Sequence, residues 1–346
     1  MARPKPLPPS LPAERLDERY LFWRSQWLVA ETVFVGITLA AATLAVLAAD
    51  WHLRPLCLIA LAIAQALWLN RCYLVGHEAV HRKLFPQQPR LNDLAGQVVL
   101  LPLLAPLRIY RKIHAFHHGC NRQAPGISTL DTFVVARSPS QAVRWGYHLM
   151  WLFLVFGGGF FIHTLVSIVL FLGLPTPTAR QISPAFNGWT GTDRLYAWLE
   201  LAGGIALHGA IWAIAGREVW FWLLALPLLI FAWVWSMLLY VYHYDTPIGM
   251  PVQRNVRSLR AAPVLSWLLL NFNEHSTHHA DPQIPWHQLP QRRLAQAPHE
   301  SPNESPNESP DLAPSAALSV WQAIWQQRRG PNLVVVAPRP SGEPQP

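Results

Sequence analysis

The chain has 346 residues, of which 51% are hydrophobic and 13% charged, and it carries 17 tryptophans. The charged share is about half that of soluble domains, which excludes an ordinary soluble protein and points to a membrane protein with aromatic residues at the lipid–water boundary. The formal net charge of +8 does not mark a nucleic-acid binder, because the basic residues sit beside long apolar runs and anionic lipid headgroups are their expected partners.

Residues 1–26 read as a basic, proline-rich arm, flexible over "MARPKPLPPSLPAERLDER". No cleavable signal peptide is expected, because this stretch is polar and the apolar run after it is too long for an h-region. Residues 27–50 and 53–75 are each long enough to span a bilayer, since about 20 apolar residues cover the hydrocarbon core. "GHEAVHR" follows, with His77 and His81. Residues 94–107 are a short apolar run with two prolines, suited to a re-entrant or interfacial segment. Then comes "KIHAFHHGCNRQ", with His114, His117 and His118. Residues 147–175 are apolar but interrupted by Gly157, Gly158 and Gly159. Two further candidate spans, 196–216 and 219–243, lead to His243 and then to "NFNEHSTHHADPQIPWHQLP", which holds His275, His278, His279 and His287.

The remainder, 291–346, reads as a disordered tail. It contains the "SPNESPNESP" repeat, polar and without apolar anchors. Residues 318–329 can form a short amphipathic helix with Trp321, Ile324 and Trp325 on one face, although a weakly structured segment touching the membrane is the expectation. Cys57, Cys72 and Cys120 are isolated, so neither a disulfide framework nor a CxxC pair is present.

The histidine clusters have spacings H-x3-H, H-x2-H-H and H-x2-H-H. Residues three and four apart share a helix face, so each cluster points two or three imidazoles in one direction. Imidazole suits iron, zinc, copper and nickel. Eight histidines are too many for one tetrahedral zinc, and no thiolates accompany them as copper(I) or iron–sulfur chemistry would need. Two irons that activate oxygen fit best. Surface histidines at a wet interface are the bland alternative.

The three boxes, followed by "PQIPWHQLP", resemble the membrane fatty acid desaturase superfamily over roughly residues 27–290. That superfamily includes acyl-lipid and acyl-CoA desaturases and carotenoid hydroxylases and ketolases, with alkane monooxygenases more distant. The resemblance implies a di-iron centre (Fe2+/Fe3+) with O2 as co-substrate. Its ligands here would be His77, His81, His114, His117, His118, His275, His278 and His279, with His243 as a ninth. Glu78, Asp131, Asp245, Glu274 and Asp281 lie near these histidines in sequence. They are candidates to accept the other ring N–H of a ligand, as carboxylates commonly do, the alternatives being solvation or pairing with Arg108, Arg111 or Arg122. His148, His163 and His208 are expected to be structural, and His287 to stabilise a loop or interface. His52 and His299 carry no visible chemistry.

All three boxes must reach one side of the membrane, so an even number of crossings separates the first from the third. Of 147–175, 196–216 and 219–243, the glycine-broken 147–175 is therefore expected to be interfacial or bent. Basic residues crowd the box-bearing loops, whereas the short loops carry only Arg54 and Arg217, so the positive-inside tendency places the boxes and both termini in the cytoplasm. The expected fold is an all-α integral membrane protein. About four transmembrane helices form two hairpins under a cytoplasmic cap that carries the boxes, and a bacterial inner membrane is the expected location.

By resemblance, the activity is O2-dependent desaturation of a fatty acyl lipid held in a tunnel walled by the inner ends of the spans and by 94–107. The chain shows no GxGxxG fingerprint, cysteine cluster or haem module, so an external ferredoxin- or cytochrome-type electron donor is implied, with arginines near the site available to dock it. Hydroxylation or ketolation of a carotenoid, or oxygenation of an alkane, would use the same metal site. A metal transporter would instead line its spans with histidines.

Overall fold

The computed structural model describes residues 18–296 and 318–336. Helix α1 (Glu18–Ala48) pairs with α2 (Arg54–Val80), which starts on a proline in its first turn. Both exceed the ~20 residues that cross a bilayer. Several of their polar groups bond within the pair. Thr32 Oγ1 donates to the Leu28 carbonyl at 2.7 Å, Trp68 Nε1 to the Thr32 carbonyl at 2.8 Å, and Gln65 Nε2 to Thr43 Oγ1 at 3.1 Å. Helix α1 starts at Glu18, so the last part of the expected arm is helical. The reason is packing: Phe22 lies edge-on to Phe85 at 5.6 Å. Residues 1–17 lie outside the described residues.

Helix α3 (Pro89–Leu100) and α4 (Leu107–Cys120) meet at a 100° bend, where Leu104 adopts φ 53°. Asn92 Nδ2 on α3 donates to the Ala79 carbonyl at the end of α2, and α4 ends in the second histidine cluster. The elbow between them dips against the later helix that holds His208, whose Nε2 lies 3.0 Å from the Pro102 carbonyl. This is a re-entrant segment, in agreement with its length and its prolines.

Helices α5 (Gln141–Phe153) and α6 (Gly159–Ile168) are joined by a π-turn over Leu154–Gly158, and a second π-turn follows at Val169–Gly173. The whole run is long and apolar enough to cross a membrane. Its two ends nevertheless meet elements on the histidine side. Trp151 stacks on Tyr244 at 5.6 Å, while the Phe171 carbonyl accepts from Trp189 Nε1 at 3.1 Å and Arg194 Nε at 3.2 Å. The run therefore bends around the later helix that holds Ser236, with the Phe160 N–H on Ser236 Oγ at 2.9 Å, as the glycine interruption predicts. A Cβ at Gly159 would collide with the Leu154 carbonyl of the π-turn.

After α7 (Thr176–Ile182), helix α8 (Gly191–Trp220) begins with a Thr190/Asp193 capping box and breaks at Gly216, where φ is 88°. Trp212 and Trp220 stack at 5.7 Å across that break, far closer than a straight helix permits. The chain thus reverses, and α9 (Leu226–Val241) returns to the histidine side, completing the second hairpin. Arg54 and Glu218 link the two hairpin tips at 2.9 Å. Four membrane-crossing stretches in two hairpins result.

The cap holds α10 (Pro263–Leu268), α11 (His275–Ala280) and α12 (Leu289–Gln296). The tail expected to be unstructured contributes to it. Helix α13 (Val320–Gln326) packs on the end of α9, and strand β2 (Asn332–Val335) pairs in parallel with β1 (Thr132–Val135), Thr132 opposite Asn332. The Ser319/Gln322 capping box sets the register of α13 so that Val320, Ala323 and Ile324 are buried. Trp321 and Trp325 are 73% and 68% exposed, which corrects the face expected from sequence. The SPNE repeat and His299 lie outside the described residues.

Candidate metal centre

Helix α2 delivers His77 and His81 at its end, α4 delivers His114, His117 and His118, α11 delivers His275, His278 and His279, and His243 follows α9. Their ring nitrogens gather in two groups, each with all its ligand atoms within 4.8 Å of one another: His77, His81, His114, His118 and His278; and His117, His243, His275 and His279. All nine histidines singled out in the sequence are brought together. Each H-x2-H-H box divides: His114 and His118 join one group and His117 the other, and His275 and His279 join one and His278 the other. The helix explains this, because residues i and i+4 lie nearly above one another while i+3 is turned to the other side of that line.

The nitrogens are spaced like the edges of a coordination polyhedron. His77 and His114 Nε2 are 2.8 Å apart, His81 and His114 Nε2 2.9 Å, His118 and His278 Nε2 3.1 Å, and His243 and His275 Nε2 3.1 Å. Two nitrogens at right angles on a metal with bonds of ~2.0–2.1 Å lie about 2.9 Å apart. Burial, followed by repulsion from neighbouring imidazoles, holds His243, His275, His278 and His279 well below the ordinary histidine pKa. They are therefore neutral at pH 7, the form that ligates metal. Both ring nitrogens of His279 are buried without a hydrogen-bond partner among the described residues, which a metal ion would satisfy. These residues fit two metal ions held by nitrogen alone.

Of the five nearby carboxylates, Glu78 faces a ligand: its Oε1 lies 3.5 Å from His77 Nδ1. It also pairs with Lys83 at 2.9 Å and accepts from the Trp286 N–H at 3.2 Å. Asp131 instead pairs with the buried Arg122 and accepts from the Asp245 N–H at 2.8 Å, shaping the turn after His243. Asp245 is exposed. Glu274 accepts from Arg293 at 3.0 and 3.1 Å, and Asp281 caps its own turn through the Gln283 N–H at 3.0 Å. Asp131 and Asp245 thus take the open alternatives of an arginine partner and of solvent, and Glu274 and Asp281 find other partners because successive residues on a helix or turn point to different sides.

Arg108 pairs with Asp193 at 3.1 Å, and Arg111 with Asp93 at 2.6 Å. These arginines hold the cap together. His163 meets Tyr240 Oη at 2.7 Å, His208 the Pro102 carbonyl, and His287 packs on Tyr20 and Trp286, all apart from the nine. His148 lies against Trp145, and His52 is exposed. Sequence reasoning missed Lys83, only 2% exposed, and Ser128, whose Oγ is 3.2 Å from His117 Nδ1. Neither has a sequence signal, because both act through folded proximity.

A cavity of about 420 Å³ adjoins the histidines, within the usual range for ligand sites. His77, His114, His117, His243 and His275 form its histidine end, and apolar residues such as Ile109, Phe160, Phe171 and Trp235 form its walls. The inner ends of α2 and α9 line it as expected, whereas segment 94–107 contributes only Ala105 and Pro106.

Residues 49–307 match the family model described as fatty acid desaturase, a span that includes all nine histidines. The chain is similar to a fatty acid desaturase of Bacillus subtilis (strain 168), 24% identical over 247 residues, which is 67% of this chain and 66% of that protein. It is also similar to sn-1 oleoyl-lipid 12-desaturases of Arthrospira platensis, 27% identical over 34% of this chain and 33% of that protein, and of Anabaena variabilis, 32% identical over 28% and 25%. The matched region thus spans just under two thirds of the Bacillus protein and a third or less of the cyanobacterial ones.

Proposed function

The chain belongs to the fatty acid desaturase family, and from that premise we propose that it is a membrane enzyme that introduces a carbon–carbon double bond into a fatty acyl chain. The observation that carries the proposal is the shared wall: five of the nine histidines line the apolar cavity and also belong to the two metal-binding groups. A hydrocarbon in the cavity would lie beside the histidines that would hold the metal ions.

Two irons are the proposed occupants, because a nitrogen-only donor set with open positions suits non-haem iron better than tetrahedral zinc. When bound, they would supply oxidising power from O2 sufficient to remove hydrogen from unactivated carbon. In the overall balance, two adjacent CH2 groups each lose one hydrogen, O2 takes up these with two further electrons and two protons, and two waters leave. The electrons come from an external ferredoxin- or cytochrome-type donor.

The residues of the chain perform the rest. Phe272, 4.8 Å from the His77 ring, and Tyr110, 5.8 Å from the His114 ring, crowd the space beside the nitrogens and exclude water. The narrow apolar walls fix which carbons lie next to the metals, which is control by position rather than by acid–base groups. Glu78 and Ser128 hold His77 and His117 in orientation. The basic residues flanking the histidines support placing this face, and both termini, on the cytoplasmic side of a bacterial inner membrane.

The test is the lipid profile of a bacterial host expressing this chain beside one expressing His118→Ala, by gas chromatography with mass spectrometry. A new double bond absent from the mutant supports the proposal and gives its position. Hydroxylated or ketonic products would overturn desaturation in favour of oxygenation at the same metals.

A further inference from the structure

Asn70 lies on α2 and is 4% exposed. It lines the cavity together with Tyr73, Leu74 and His77, positions that recur at helical spacing and define the cavity-facing side of α2. Two helical turns, about 10.5 Å, separate Asn70 from His77. Because α2 runs from the distant hairpin tip toward the histidines, Asn70 sits deeper in the membrane than the metal groups. The cavity walls also include Phe160, Trp235 and Leu269, which are 3%, 8% and 2% exposed.

The neighbouring residue clarifies the contrast. Arg71 turns to the other side of α2, where it pairs with Glu31 at 3.2 Å and lies over the Trp267 ring. The polar His163 on the cavity wall is matched by Tyr240 at 2.7 Å. The Asn70 amide makes no side-chain hydrogen bond with any described residue. An amide has two N–H donors and a carbonyl, and leaving these unmatched against hydrocarbon is unfavourable. A polar residue inside a membrane span that faces a cavity marks the path of a ligand.

We propose that Asn70 forms a polar subsite at the deep end of the cavity and selects acyl chains that carry a hydroxyl group beyond the carbons held next to the metals. The inference rests on the acyl-chain reading of the cavity. The amide donates to, or accepts from, the substrate hydroxyl, and a plain hydrocarbon end leaves the amide unmatched. Sites built to bond a substrate hydroxyl discriminate strongly against analogues that lack it.

The test is equilibrium binding, which needs no turnover or electron donor. The purified full-length protein in detergent micelles is loaded with a fluorescent fatty acid. A saturated sixteen-carbon fatty acid and its analogue hydroxylated at the chain end then compete for the site. The hydroxylated chain is expected to compete on the order of tenfold better with wild type, and Asn70→Leu is expected to abolish or invert that preference. Equal competition by the two chains in wild type, or an unchanged ratio in Asn70→Leu, would overturn the Asn70 subsite while leaving the acyl cavity standing. Failure of both chains to compete would overturn the acyl cavity itself, and the subsite with it. The wild-type ratio requires no variant, so the proposal stays falsifiable if Asn70→Leu does not fold.

Discussion

The backbone N–H of Trp286 donates to the Glu78 carboxylate at 3.2 Å, joining residues 208 positions apart. Glu78 follows His77 in the first histidine box, and Trp286 lies in the loop after the third. Lys83 strengthens the joint, because its Nζ lies 2.9 Å from Glu78 and donates to the Ile284 carbonyl at 3.0 Å. One buried ion pair thus ties the two ends of the metal-binding sequence together.

Glu78→Ala removes one partner of this buried pair and leaves Lys83 charged without a counterion. The expected cost is about 3–5 kcal/mol of stability. Thermal unfolding of the purified protein measures it, and metal content should fall with it as His77 loses its orienting carboxylate. The double variant Glu78→Gln with Lys83→Met should recover part of the loss, since no buried charge remains. Wild-type stability in Glu78→Ala would show the pair to be dispensable.

The division of each H-x2-H-H box predicts how metal is lost. His118→Ala removes a nitrogen from the five-histidine group, and His279→Ala one from the four-histidine group. Each single variant should lower bound iron relative to wild type, and the double variant should lose nearly all of it. Iron per chain, measured by inductively coupled plasma mass spectrometry, reads the result. Full iron occupancy in both single variants would argue against two separate groups.

His163 lies outside both groups and bonds Tyr240. His163→Leu should therefore retain iron while losing about 1–3 kcal/mol of stability, because the buried Tyr240 hydroxyl is left unmatched. Paired iron and thermal-unfolding measurements separate this outcome from that of a ligand variant.

The tail segment makes the converse prediction. Trp151 Nε1 donates to the Gln327 carbonyl at 2.6 Å, Gln327 Nε2 to the Met237 carbonyl at 3.0 Å, and Tyr244 Oη to the Gly330 carbonyl at 2.7 Å. Ala323→Asp places a charge in the contact with α9 and should destabilise the protein severely, by several kcal/mol. Trp321→Ser changes an exposed position and should shift stability in detergent by no more than about 0.5 kcal/mol. Similar melting temperatures for the two variants would contradict the observed face of α13.

Much of this architecture was legible in the sequence because the relevant signals are local. Apolar length announced α1, α2 and the two halves of the α8–α9 hairpin, and the glycines at 157–159 announced the bend between α5 and α6. The histidine spacings placed eight of the nine nitrogen donors, and resemblance supplied His243. Where expectation failed, the cause was non-local. Glu274 was drawn to Arg293 rather than to a histidine, and the packing of residues 318–336 depends on a surface assembled from β1, α5 and α9.

The sequence by itself determined the membrane-embedded helical class and the identity of the histidine clusters, because hydrophobic length and helical periodicity are properties of contiguous residues. Only the tertiary structure decided that nine imidazoles divide five and four, that Glu78 and not its fellow carboxylates faces a ligand, and that Asn70 looks into the cavity while Arg71 looks away. Those outcomes depend on distances between segments far apart in the chain, which are set when the helices pack and the buried polar groups must find partners.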